Sequence, residues 1–173
     1  MEDTLLVGDY LLANRFVWGA PVEIPFTGIV LGRLPALNEP KRGDIAIFAS
    51  WHDTSEDFIK RIVGLPGDTI LVRDDILTIN GEPFRGELDA RFGHDPRIFP
   101  EIKFSQTRSY RHRGFGGSLA RDYGPHVVAP GHVFAMGDNR HNSSDSRYNG
   151  DVPMDRLKAR AMIIYWSMDL SRP

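Results

Sequence analysis

Every apolar run in this chain stops at strand length. The 12 prolines and 17 glycines are spread along the 173 residues, and even the longest candidates, such as Ala161-Met162-Ile163-Ile164-Tyr165-Trp166, are only strand-sized. Punctuation at that spacing predicts many short strands joined by turns. No stretch approaches the ~18 apolar residues that a bilayer crossing requires, and no signal peptide is visible. A chain of this length can bury a real core, as one domain or as a domain with a subdomain. The expectation is a mostly β protein.

In chain order, Tyr10–Trp18 reads as a first strand, and residues 43–51 as another after the Arg42-Gly43-Asp44 turn. Thr69–Arg73 and Ile76–Asn80 pair as a hairpin around Asp74-Asp75, and Asn80-Gly81 marks the next tight turn. Pro125–Ala129, the run entering Gly137, and Ala159–Trp166 complete the strands. A short helical turn is expected at Pro153–Leu157. Residues 19–40 hold four prolines and the apolar segment Ile24–Leu31, which makes a poor central strand. That segment reads either as a loop folded over the core or as an exposed apolar lip for membrane contact.

Charge narrows the function. A net charge of −2, with 41% hydrophobic and 25% charged residues, provides no basic field for nucleic acid. The chain has no cysteine, which excludes disulfides and thiolate metal sites. Gly114-Phe115-Gly116-Gly117 lacks the ending and the following helix of a phosphate loop. No histidine pair has zinc spacing, and no cofactor is implied.

The most informative strand is Asp57-Phe58-Ile59-Lys60-Arg61-Ile62-Val63. Strand alternation puts Phe58, Lys60 and Ile62 on one face, and Ile59, Arg61 and Val63 on the other. A lysine between an aromatic and a β-branched residue loses hydration, which lowers its pKa and suits it to accept a proton from a hydroxyl. The alternative is a lysine snorkelling into water from an edge strand. A second dense stretch, Gly137-Asp138-Asn139-Arg140-His141-Asn142-Ser143-Ser144-Asp145-Ser146-Arg147, reads by itself as a polar turn rich in Asx and serine hydrogen bonds. As a calcium loop it lacks the sixth-position glycine and the final glutamate, and Arg140 would put a cation among the ligands.

Together, "DFIKRIVGLPGD" and "GDNRHNSSDSRYNG" resemble the bacterial type I signal peptidases, membrane-bound serine proteases with a Ser–Lys dyad. The resemblance extends to Thr4–Tyr10, Lys41–Phe48 and Leu77–Pro83, in the family's order from end to end. It implies a signal-peptidase/LexA-like β-fold, with residues 1–83 and 125–173 as a catalytic β core and 84–124 as an inserted, variable β subdomain. Lys60 resembles the general base, and Ser143 the serine that hydrogen-bonds it. Asp138 with Arg61, and Asp145 with Arg147, match ion pairs that support the site. Asp57, Phe58 and Ile59 match the strand along which the substrate adds as a further β-strand. Met1, Leu5, Ile59 and Ser144 are candidates for shallow pockets that accept alanine and exclude larger side chains.

One departure stands at the start. The family's nucleophilic serine immediately precedes a methionine, and here that methionine is Met1, while Asp3 replaces a frequent proline. The serine is therefore expected one residue ahead of Met1, with the family's N-terminal membrane anchor further upstream, in a chain cut at that point. The implied substrates are secretory precursors cleaved after small residues at the plasma (inner) membrane, with the catalytic domain on the extracytoplasmic, periplasmic side. The alternatives are an inactive homologue that binds peptides or aids assembly, and a LexA-like self-cleaving repressor. The last lacks support because no DNA-binding segment is present.

Overall fold

The computed structural model describes residues 5, 8–19, 21–23, 30–52, 56–73, 76–84, 122–138, 140 and 143–168. Met1, the Asp74-Asp75 turn, residues 24–29 of the apolar segment, His141 and nearly all of the expected 84–124 insert lie outside the described residues. The fold is mostly β, with strands β1 (Asp9–Asn14), β2 (Pro21–Glu23), β3 (Val30–Arg33), β4 (Ile45–Ala49), β5 (Asp57–Gly64) and β6 (Thr69–Arg73). There follow β7 (Ile76–Ile79), β8 (Glu82–Pro83), β9 (Tyr123–Val127), β10 (His132–Met136), the one-turn helix α1 (Ser146–Asn149), β11 (Val152–Pro153) and β12 (Leu157–Ser167).

The strands form a six-stranded sheet in the order β1-β12-β4-β5-β10-β11, a four-stranded sheet β8-β7-β6-β9 and a ribbon β2-β3. Every pairing is antiparallel, so short turns suffice to connect neighbours. At Asn80-Gly81 both residues have positive φ, 54° and 85°, the backbone that a two-residue hairpin turn demands.

Strand β5 carries a core on each face. Ile62 packs with Ala46, Phe48, Val133, Ala135 and Leu157, while Val63 packs with Ile70, Val72, Leu77, Phe134 and Met136. The second cluster joins the two sheets. Where they meet, buried Asp68 accepts two hydrogen bonds from Arg42 (2.8 and 2.5 Å), one from the Leu65 N–H (2.8 Å) and one from Asn80 Nδ2 (2.9 Å).

Two expectations need adjusting. The first strand ends at Asn14 rather than Trp18, because Asn14 Oδ1 accepts the Phe16 N–H (2.9 Å) and turns the chain. Val17 and Trp18 then enter the core instead of extending the strand. The helical turn after Pro153 is a 3-10 turn, Met154–Arg156, and the strand after it starts two residues early, at Leu157. Finally, the expectation for the apolar segment Ile24–Leu31 falls mostly outside the described residues; its described flanks pair as the β2–β3 ribbon, Leu31 is 68% and Leu37 71% exposed, and the Leu37 and Asn38 N–H groups donate to the Val17 carbonyl (both 3.0 Å).

Candidate active site

Strand β5 changes character along its length. From Asp57 to Arg61 it pairs with β4 on one side, Ala49 opposite Asp57 and Ile45 opposite Arg61. On the other side β10 reaches only Arg61, Ile62 and Gly64. Among the described residues no strand covers that second edge at 57–60. Ile62 donates its N–H to Asp44 (2.8 Å) and Glu56 accepts from Ser50 (2.8 Å), both toward β4. Backbone groups alternate in direction along a strand, so the N–H and C=O of Asp57 and Ile59 face the open edge.

Lys60 sits where the open segment meets the buried one. It is 8% exposed, with Ala46 directly across on β4. The centroid of the Phe58 ring lies 5.6 Å from its amine. Burial lowers its pKa; Asp145 works against that shift, Arg147 adds to it, and Asp138 opposes it. Burial likewise brings the Arg140 guanidinium down to about 10.

Two ion pairs frame the amine. Arg61 donates Nε to Asp138 Oδ1 (2.9 Å) and Nη2 to Oδ2 (2.8 Å), and its Nη1 to the Gly43 carbonyl (2.9 Å). Arg147 donates Nε to Asp145 Oδ1 and Nη2 to Oδ2, both at 2.9 Å, and Nη2 also to the Arg140 carbonyl (2.6 Å). Asp145 Oδ2 further accepts the Gly137 N–H (3.1 Å). This ties the end of β10 to the start of α1.

The Ser143 Oγ is buried and has no hydrogen-bond partner among the described residues. A β-carbon built on Gly137 would collide with Ser143 Oγ and stand 3.7 Å from Lys60 Nζ. The hydroxyl and the amine therefore converge over a glycine that has no side chain to separate them. Ser144 is exposed, and its Oγ accepts from Asn149 Nδ2 (3.0 Å).

The other residues singled out are placed as follows. Asp57 is exposed and pairs with Lys158 (2.7 Å), while Phe58 and Ile59 are half-buried. Leu5 is half-buried, and Met1 lies outside the described residues. Sequence reasoning missed the space-making role of Gly137 and the helix α1. Asp145 caps that helix by accepting the Arg147 N–H, and Gly150, at φ 82°, ends it. An Asp and a Gly flanking four residues was the available signal. Ser146 was also missed; its buried Oγ accepts the Ala135 N–H (3.0 Å). Among the described residues no group of acidic or histidine side chains is placed to hold a metal ion.

The profile of the family described as "Signal peptidase, peptidase S26" matches residues 1–166. The chain belongs to the S26 signal peptidase family. The signal peptidase I of Rickettsia massiliae is 33% identical over 188 residues, covering 99% of this chain and 70% of that one. The signal peptidase I of Pseudomonas fluorescens is 35% identical over 165 residues, covering 91% of this chain and 55% of that one. Among solved structures, a signal peptidase I from Enterococcus faecalis superposes with a TM-score of 0.50 at 27% identity, over 72% of this chain and 98% of that one. S26 signal peptidases are serine endopeptidases associated with membranes, and the family implies signal-peptide substrates. Among the described residues no helix is long and apolar enough to cross a bilayer, which leaves β-barrel spans unaddressed.

Proposed function

We propose that this protein is the catalytic domain of an endopeptidase that removes N-terminal signal peptides from secretory precursors after small residues, with Lys60 as general base. The observation that carries this reading is the pair over Gly137: a dry amine beside a buried hydroxyl that lacks a partner among the described residues. A neutral amine accepts protons, and an orphaned buried hydroxyl is costly unless it serves something. In this reading the Ser143 hydroxyl oxygen accepts a hydrogen bond from an N–H of the neutral Lys60 amine, which leaves the amine lone pair aimed at the nucleophile.

The nucleophile in this reading is the serine that the family pattern places immediately before Met1. Its oxygen attacks the scissile carbonyl while Lys60 takes its proton. A C–O bond forms, and the carbonyl π electrons move to oxygen. Collapse breaks the C–N bond, and the Lys60 ammonium returns the proton to the departing amine. Water then hydrolyses the acyl-enzyme with Lys60 again as base.

The substrate strand adds to the uncovered edge at 57–60, pairing main chain to main chain with Asp57 and Ile59. The family resemblance makes Met1, Leu5, Ile59 and Ser144 the candidates for the shallow pockets that take small side chains. Asp138–Arg61 and Asp145–Arg147 hold the frame. Residues 1–83 and 125–173 form the catalytic core, and 84–124 an insert. The protein works on the extracytoplasmic side of the inner membrane. Exposed Leu31 and Leu37, together with Tyr10, Leu12, Ile163, Tyr165 and Trp166 along the paired β1 and β12, supply apolar contact with the lipid surface.

The test is cleavage of a precursor with an A-x-A site by protein carrying a serine directly ahead of Met1. Cleavage that disappears in Lys60→Ala is the expected result. No cleavage by the serine-bearing protein would point to the peptide-binding homologue, and undiminished activity in Lys60→Ala would reject Lys60 as the base.

A further inference from the structure

The Asn149–Gly150 corner at the end of α1 touches both halves of the site without belonging to either. Asn149 Nδ2 donates to Ser144 Oγ (3.0 Å) and to the Asp145 carbonyl (3.1 Å). A carbonyl only accepts, so the amide orientation is fixed and Oδ1 faces His52 Nε2 at 3.1 Å. His52 must carry its proton on that nitrogen. One residue on, the Gly150 carbonyl accepts from Trp51 Nε1 (3.2 Å). The loop that leads into the open edge of β5 is thus fastened to the helix that follows Ser143.

Each tether continues inward. The Trp51 ring packs against Phe58 (centroids 5.5 Å) and edge-on to Phe48 (5.0 Å). Phe58 is the ring beside the Lys60 amine, 5.6 Å away. Arg156 backs the same loop by donating to the carbonyls of Ser50 (3.2 Å) and Trp51 (3.4 Å). On the other branch Ser144, held by Asn149, is the chain neighbour of Ser143. The dry cover of the lysine and the hydroxyl near it come from segments about ninety residues apart, and they share one anchor.

We propose that Asn149 is a positioning residue for the Lys60–Ser143 pair, bracing the Trp51–Phe58 cover on one side and the Ser143-Ser144 backbone on the other. The proposal rests on the reading of Lys60 as the base, but it has a readout that does not require turnover. Removing the brace loosens the aromatic cover and lets water reach the amine, so its affinity for protons rises towards that of an ordinary lysine. The charged groups acting on that amine are Asp145 and Arg147 at the start of α1 and Asp138 after β10, and Asn149→Ala leaves all three in place. His52, on the loop side, is the titratable group that loses its partner.

The experiment measures the Lys60 side-chain titration by NMR in the native protein, in Asn149→Ala and in Trp51→Phe, alongside precursor cleavage by the serine-bearing forms. Trp51→Phe removes the bond to Gly150 and keeps an aromatic ring. The expected result in Asn149→Ala is a Lys60 titration raised by about half a pH unit or more, with the acid limb of the pH–rate profile moving up equally. A kcat loss of roughly tenfold accompanies it, and KM moves less, since the reacting groups are displaced while the β5 edge keeps its β4 pairing and only the Ser144 pocket loses a contact. Trp51→Phe follows in the same direction by less. A role in folding alone would lower the melting temperature and leave the titration where it was, and that result overturns the proposal. If Asn149→Ala does not fold, Trp51→Phe decides in the same terms. A raised titration in a protein that never cleaves would sink the protease reading while keeping the brace. Lys60-dependent cleavage with an unmoved titration would do the reverse.

Discussion

Arg61 and Asp138 hold each other one residue beyond Lys60 on β5 and one residue beyond Gly137 at the end of β10. Their two parallel hydrogen bonds, 2.9 and 2.8 Å, join side chains only 5% and 3% exposed. The pair fixes how the lysine strand lies against the turn that brings Ser143.

Breaking this pair from one side strands a buried charge. Arg61→Ala or Asp138→Ala should each cost about 3–5 kcal/mol of unfolding free energy, read by urea denaturation. Arg61→Lys should recover only part of it, because an ammonium cannot make the fork-shaped contact with both oxygens and still reach the Gly43 carbonyl.

Gly137→Ala tests the convergence directly. The new methyl would fall on Ser143 Oγ and force it to move, while the Lys60 amine would stand in ordinary contact at 3.7 Å. Cleavage by the serine-bearing protein should fall roughly a hundredfold, as expected when reacting groups shift by about 1 Å. Far-UV circular dichroism should be unchanged. Full activity in a folded variant would show that the two groups do not need that proximity.

The buried amine predicts a trade between function and stability. Folding lowers the pKa of Lys60. Between the folded and unfolded values, the unfolded chain binds a proton that the folded chain does not, so stability rises with pH across that window. Below the folded value, burying the cation costs stability. Lys60→Met should therefore abolish cleavage and yet melt higher than the native protein at pH 7, by roughly 2–4 °C for each kcal/mol relieved. The difference should shrink as the pH approaches that of an ordinary lysine. A difference in melting that does not change with pH, measured by calorimetry, would show that the amine is hydrated.

The uncovered edge of β5 can be probed through its backbone. Ile59→Pro removes an N–H that points away from β4, and edge positions tolerate proline. Precursor cleavage should drop at least tenfold, mainly through KM, with the β4 pairing and the melting profile kept. Phe58→Pro, whose N–H points into the β4 ladder, should instead destabilise the sheet.

Particular residues mark what could be read ahead of the coordinates. The two faces of β5 were legible because alternation depends on neighbours along one strand, and Ile62 and Val63 do pack into separate clusters. The strand entering Gly137 and the Asn80-Gly81 turn were legible for the same local reason. The helix α1 was not noticed, since four residues give no periodicity. The end of β1 was misplaced because Asn14 turns the chain with a side-chain bond that an apolar run conceals. The fate of Leu31 and Leu37 was undecided in the chain, because which apolar residues fill a core depends on what else competes for it.

The order of the residues alone determined a β protein, its family, and the short list of groups able to move a proton. Folding in three dimensions decided the rest: that among the described residues β10 pairs with β5 only from Arg61 onward, that Gly137 sits beside both an amine and a hydroxyl, and that Asn149 reaches back to His52. Those relations join positions far apart along the chain. Local preferences act over a few residues, whereas dryness, ion pairing and steric room exist only after distant segments have packed.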